Sequence, residues 1–143
     1  MKNRMFYTHM RVAEEYSKLS YALKLQVGAI VVKEDRIISI GYNGTPAGWD
    51  NACEDQYYLD DFHVKLTTKP EVIHAEANAI SKLARTHESG LNADMFITHA
   101  PCMECSKLIY GAGIKRVFYK NEYRDTSGTD FLKKCGIEVI KVN

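Results

Sequence analysis

No stretch of this chain is long and apolar enough to span a bilayer, and none resembles a secretory leader. The start, Met1-Lys2-Asn3-Arg4, runs into polar and aromatic residues without an apolar core. The expected setting is the cytoplasm, of a cell or of its host, with no membrane partner. Charge of one sign is also lacking, since the formal net charge is +1. That argues against a nucleic-acid polymer as partner, which normally needs a basic excess, and leaves room for a small local phosphate site. Repeats, low-complexity tracts and linkers are missing. With 143 residues, 45% hydrophobic and 26% charged, the chain is expected to form one domain, 1–143, with a real core. Cysteine is sparse: Cys53, Cys102, Cys105 and Cys135. In a chain without a leader, such a set points to metal binding before disulfides.

What is present centres on two short stretches, His74-Ala75-Glu76 and Pro101-Cys102-Met103-Glu104-Cys105. They supply one imidazole, two thiols and a spare carboxylate. Three ligands of this type leave one position of a tetrahedral Zn²⁺ open, the pattern of a catalytic site; a structural site would be closed by a fourth. Cys102 and Cys105 sit at i and i+3 at the start of an expected helix. They therefore share a face, and the helix N-terminus favours thiolate. Residues two apart, such as His74 and Glu76, converge only where a helix begins. A redox pair at Cys102 and Cys105 is the competing reading, but it gives His74 and Glu76 nothing to do. Glu104 reads as a surface carboxylate at a helix N-terminus.

Along the chain, apolar spacing predicts a helix from Met5 to Ala22, with Phe6, His9, Ala13 and Tyr16 on its inner face. Val27–Val32 and Ile37–Ile40 read as a strand hairpin. Residues 41–48 hold three glycines and a proline, which makes a loop. The polar, aromatic segment from Trp49 to Pro70 is expected to carry a short helix over 55–64. After it come a helix from His74 to Ala84, a strand at Met95–Thr98 and a helix from Cys102 to Tyr110. Lys115–Tyr119 follows as a strand, then a helix capped by Ser127 and stopped by Gly136, and last a strand over Ile137–Val142. Cys135, near that helix end, reads as a core residue. The tally implies α/β layers around one sheet.

The motif H-x-E…P-C-x-x-C, present here residue for residue, resembles the signature of zinc-dependent base deaminases. The chain is thereby similar to the cytidine/deoxycytidylate deaminase superfamily. The resemblance implies a three-layer αβα fold with a five-stranded mixed sheet and helices on both faces. It implies a catalytic Zn²⁺ on His74, Cys102 and Cys105, which acidifies a water. Glu76 is then the catalytic acid–base that relays protons to the pyrimidine and to the leaving ammonia, and the Ala75 N–H binds the base carbonyl.

Gly41-Tyr42-Asn43-Gly44-Thr45-Pro46 is similar to a loop of the deoxycytidylate (dCMP) deaminase branch, as are the phrases around Gln26-Val27-Gly28-Ala29 and Gly113-Ile114-Lys115. The branch implies conversion of dCMP to dUMP, which feeds thymidylate synthesis. It implies that Asn43 holds the sugar hydroxyl and that Tyr123 contacts substrate. Ser20, Lys24 and Arg124 are candidates near the 5′-phosphate. The branch further implies a homo-oligomer, often a hexamer, activated by dCTP and inhibited by dTTP with Mg²⁺ on the triphosphate. Gly41, Tyr42 and Gly44 would then help form that second nucleotide site. Taken alone, Asn43 also fits a left-handed turn residue. In one departure, Ala22-Leu23 stand where many relatives carry Asp-Pro, which leaves the conformation of that loop open. Two further readings remain: a relative acting on a free nucleoside or on tRNA, and a zinc module that uses the metal only to fold. Glu76 speaks against the last, since a structural site has no use for a spare acid.

Overall fold

The computed structural model describes residues 3–143. Helix α1 spans Asn3–Ser17, strands β1 and β2 span Gly28–Lys33 and Arg36–Tyr42, and β3 and β4 span Glu54–Tyr58 and Val64–Thr68. Then follow α2 (Ala75–Leu83), β5 (Asp94–His99), α3 (Met103–Gly111), β6 (Arg116–Asn121), α4 (Ser127–Lys134) and β7 (Glu138–Lys141). One mixed sheet has five strands in the order β2-β1-β5-β6-β7. β1 pairs antiparallel with β2 and β5, whereas β6 runs parallel to β5 and β7. This is the five-stranded three-layer arrangement that the resemblance implied.

Alternation along β1 explains the layers. Ile30 and Val32 turn to one face and pack with Met10 and Ala13 of α1, with Phe96 and with Phe118. Phe96 and Phe118 stack at 4.4 Å between ring centroids. Ala29 and Val31 turn to the other face, where they join Ala75 and Ala79 of α2, Ile109 of α3 and Leu132 of α4. The α2 side carries small residues because α2 lies close to β2. A methyl on Gly41 would run into the Ala75 carbonyl and sit 2.6 Å from the Ala79 nitrogen.

Several expectations are corrected. The first helix stops at Ser17, five residues before Ala22, because tertiary hydrogen bonds capture the chain beyond it. Ser20 Oγ donates to the Asn43 carbonyl at 2.7 Å and accepts from the Ala22 N–H at 3.1 Å. Residues 55–64 form no helix: β3 and β4 are a two-stranded hairpin apart from the main sheet. Its turn is fixed by Asp60, whose Oδ1 accepts from the N–H groups of Phe62 and His63, both at 2.8 Å. Ser127 lies inside α4, and the residue before the helix is Thr126. Cys135 is exposed rather than part of the core. None of the described helices is long and apolar enough to cross a membrane.

Candidate active site and metal centre

The two motif stretches meet where α2 and α3 begin. His74 and Cys102 are the residues that precede the two helices, each with extended backbone, so their side chains project past the helix ends. His74 Nδ1 lies 3.3 Å from Cys105 Sγ and 3.7 Å from Cys102 Sγ. All three ligand atoms fall within 4.8 Å of one another. A tetrahedral zinc with Zn–S near 2.3 Å and Zn–N near 2.0–2.1 Å has an N–S edge of roughly 3.5 Å. The two N–S distances bracket that value, so the donor set fits zinc in chemistry and in spacing. Neighbouring structure holds the turn in place. α4 presses on it through Gly128, where a methyl would collide with the Pro101 carbonyl and come within 2.7 Å of the Cys102 carbonyl carbon. From the other side, the Ala100 N–H donates to the Asn121 carbonyl at 2.9 Å.

The electrostatics of the cluster favour a cation. Hydrogen bonds from Cys105 and then His74 hold the Cys102 thiol down to about 4, so it is a thiolate at neutral pH. Its partner Cys105 is pushed up, first by its hydrogen bond to that thiolate. The His74 imidazole is raised, chiefly by its hydrogen bond to Cys102. Glu76 is 4% exposed, and burial raises its carboxyl above the ordinary value. A buried acid that accepts and releases protons readily is suited to general acid–base work.

A cavity of about 230 Å³ opens beside this cluster. Its lining contains His74, Ala75, Glu76 and Cys102, and also Asn43, Lys24 and Tyr123. Ser20 and Arg124 are not among the lining residues; Ser20 is buried in its hydrogen bonds to the neighbouring loop, and Arg124 is exposed. Asn43 is not the left-handed turn residue that its type alone allowed, since its φ is not positive. Its Oδ1 accepts from the Val27 N–H at 2.9 Å and its Nδ2 donates to the Leu25 carbonyl at 2.8 Å, so it braces the connection between α1 and β1. Gly41, Tyr42 and Gly44 stay outside the cavity lining. Gly41 serves the α2 contact described above, the Tyr42 carbonyl accepts from Asn78 Nδ2 at 2.9 Å, and Gly44 bridges to Ile73. Glu104 is exposed and pairs with Lys107 at 3.1 Å, as a surface carboxylate should.

Among the polar lining residues that sequence reasoning missed are Glu54, Thr68 and His99. His99 ends β5. The Gly28 N–H donates to Thr98 Oγ1 at 3.1 Å, and the Thr98 hydroxyl lies 3.0 Å from His99 Nδ1. Burial keeps this imidazole below its ordinary value, hence neutral. The signal for His99 was its position three residues before Cys102, at the end of a strand leading into the ligand turn.

Residues 4–121 match the family described as the cytidine and deoxycytidylate deaminase zinc-binding region. The deoxycytidylate deaminase of Enterobacteria phage T4 is 34% identical over an alignment 171 positions long, gaps included, which covers 94% of this chain and 88% of the phage protein. The deoxycytidylate deaminase of Homo sapiens is 43% identical over 106 residues, covering 71% of this chain and 56% of the human one. Among solved structures, the dCMP deaminase of the cyanophage S-TIM5 in complex with dCMP and dUMP superposes with a TM-score of 0.88 at 44% identity, over 99% of each chain.

Proposed function

The chain belongs to the cytidine and deoxycytidylate deaminase family, and from that premise we propose that it hydrolyses dCMP to dUMP and ammonia. The single observation that carries the reading is the joining of the His74–Cys102–Cys105 cluster to the buried Glu76 at one end of a cavity of about 230 Å³. His74, Cys102 and Cys105 would hold zinc, which when bound supplies a Lewis acid that makes water nucleophilic near neutral pH. Glu76, buried and poised above the usual carboxylate range, takes the proton of the attacking water as its oxygen adds to C4. Glu76 passes that proton to N3, then carries the remaining proton of the added hydroxyl to the amino nitrogen, so that the C4–N bond breaks, the C4 carbonyl forms and ammonia leaves. The Ala75 backbone N–H is offered to the base carbonyl, and Tyr123 and Asn43 to the sugar. Lys24, the only lysine or arginine among the described residues that line the cavity, is offered to the phosphate.

The finer reading concerns regulation and supply. The GYNG-type loop and the resemblance to the dCMP deaminase branch support a homo-oligomer, of hexamer size, in which dCTP with Mg²⁺ activates and dTTP inhibits. In that reading Gly41, Tyr42 and Gly44 contribute to the effector site, and the dUMP formed feeds thymidylate synthesis.

The test is a substrate panel read by ammonia release: dCMP, CMP, dCTP, deoxycytidine and tRNA. The expected result is turnover of dCMP with kcat/KM at least about tenfold above deoxycytidine, since a charge-assisted phosphate contact is worth about 1.5–3 kcal/mol. Equal kcat/KM for the two would remove the phosphate site. No ammonia from dCMP would remove the activity.

A further inference from the structure

Glu54 is a buried carboxylate with no part in the chemistry above. It is 8% exposed, it opens β3, and it lines the cavity. Both of its oxygens are occupied. The Leu23 N–H donates to Oε1 at 3.2 Å and to Oε2 at 3.0 Å, and the Lys24 N–H donates to Oε2 at 3.0 Å. The donors belong to the connection between α1 and β1, which contributes Ala22, Lys24 and Leu25 to the cavity wall. That connection has no regular structure of its own, so its shape depends on what holds it. One clamp is Asn43, on Leu25 and Val27. Gln26 adds a local one, its Nε2 donating to the Ser20 carbonyl at 2.8 Å. Glu54 is the clamp on the stretch that carries Lys24.

The arrangement also resolves two oddities. A bare carboxylate in a cavity meant for a phosphate would repel it. Here the backbone donors absorb the charge and turn the lone pairs toward the chain. In addition, the Ala22-Leu23 pair is no defect in the motif. Leucine at 23 carries the N–H that Glu54 uses, whereas proline there could not donate.

We propose that Glu54 is a positioning residue for the phosphate end of the substrate: by binding the Leu23 and Lys24 N–H groups it fixes the wall from which Lys24 reaches the nucleotide. Preorganisation of this kind lowers the ordering cost on binding. Glu54 acts through the loop and does not touch the reacting atoms. The inference rests on dCMP being the substrate of this cavity.

The experiment compares zinc-loaded wild type with Glu54→Ala and Glu54→Gln, using dCMP and deoxycytidine as substrates. Loss of hydrogen bonds to a charged group should raise KM for dCMP roughly tenfold or more in Glu54→Ala. The change in kcat should stay within about threefold, and kcat/KM for deoxycytidine, which has no phosphate to place, should stay within the same margin. Glu54→Gln keeps one carbonyl acceptor and should recover part of the loss. Leu23→Pro removes one donor of the same bonds, so adding it to Glu54→Ala should raise KM for dCMP little further. Equal losses on both substrates would mean that Glu54 only supports the fold and would overturn the proposal. Amide exchange at Leu23 and Lys24 provides a readout independent of turnover. It should accelerate in Glu54→Ala; unchanged exchange would refute the clamp even in a wild type that failed to deaminate dCMP.

Discussion

The thiol of Cys102 shows how much of this site is decided by single residues. Its ligand role was legible because spacing and helix position both pointed to it, and its thiolate character follows from Cys105 and His74 lying within hydrogen-bond range. Cys102→Ala should therefore lose zinc, to well below one per chain by elemental analysis, and should unfold at lower temperature, because metal affinity and folding are coupled. Wild-type zinc content in that variant would refute its place among the ligands. His9 was legible only as an inward helix position. The structure adds that its ring lies tilted against Phe96, 5.1 Å between centroids, and that its Nε2 has no hydrogen-bond partner among the described residues. Burial holds its imidazole below the ordinary value, against the pull of Asp35 and Asp94. The unfolded chain then binds more protons than the folded one below about pH 6.5, so stability is full above that pH and is lost as pH falls toward the lowered folded value. His9→Phe should unfold at a urea midpoint less sensitive to pH between 7.5 and 5.5 than the wild type. An identical pH slope would contradict this account.

At the level of elements, legibility followed burial. β1 and β5 are nearly continuous apolar runs, because helices cover both faces of the sheet, and both were read correctly. β3 and β4 were missed for the converse reason. In β3 only Glu54 is buried and no residue of β4 is, so β3 (Glu-Asp-Gln-Tyr-Tyr) carries no apolar alternation and the short Val64-Lys65-Leu66-Thr67 alternation in β4 answers to no buried face. The clamp formed by Glu54 was hidden with them, since an isolated carboxylate shows no sign in sequence of which backbone it will meet. Gly128 is another case in which only the packing gives the reason. It lets α4 lie against the Pro101–Cys102 backbone. Gly128→Ala should destabilise the protein by about 1–3 kcal/mol by overpacking, measured by urea unfolding. It should also weaken zinc binding in competition with a chelator, although every ligand is intact. Unchanged stability and zinc affinity would show that α4 does not buttress the metal turn.

For the whole molecule, the sheet brings every functional segment to one region: the α1–β1 connection, the loop after β2, the start of α2 and the turn into α3 all contribute to one cavity. Such convergence is invisible to spacing and became an expectation only through the resemblance. The regulatory reading belongs to this scale, because an effector that biases the loop of Asn43 must bias the substrate site as well. A dCMP saturation curve should be sigmoidal, become hyperbolic with dCTP and move to higher substrate with dTTP. A hyperbolic curve indifferent to both, from a monomer by sedimentation, would remove the regulation while leaving the chemistry. The central claim is that Glu76 moves the protons of a zinc-dependent deamination of dCMP. Its most direct test is turnover of dCMP to dUMP and ammonia by wild type and Glu76→Gln side by side, each assayed for zinc. The account predicts about one zinc per chain in both and a loss of roughly 10²–10⁴ in kcat for the variant. Wild-type turnover by zinc-loaded Glu76→Gln would contradict it.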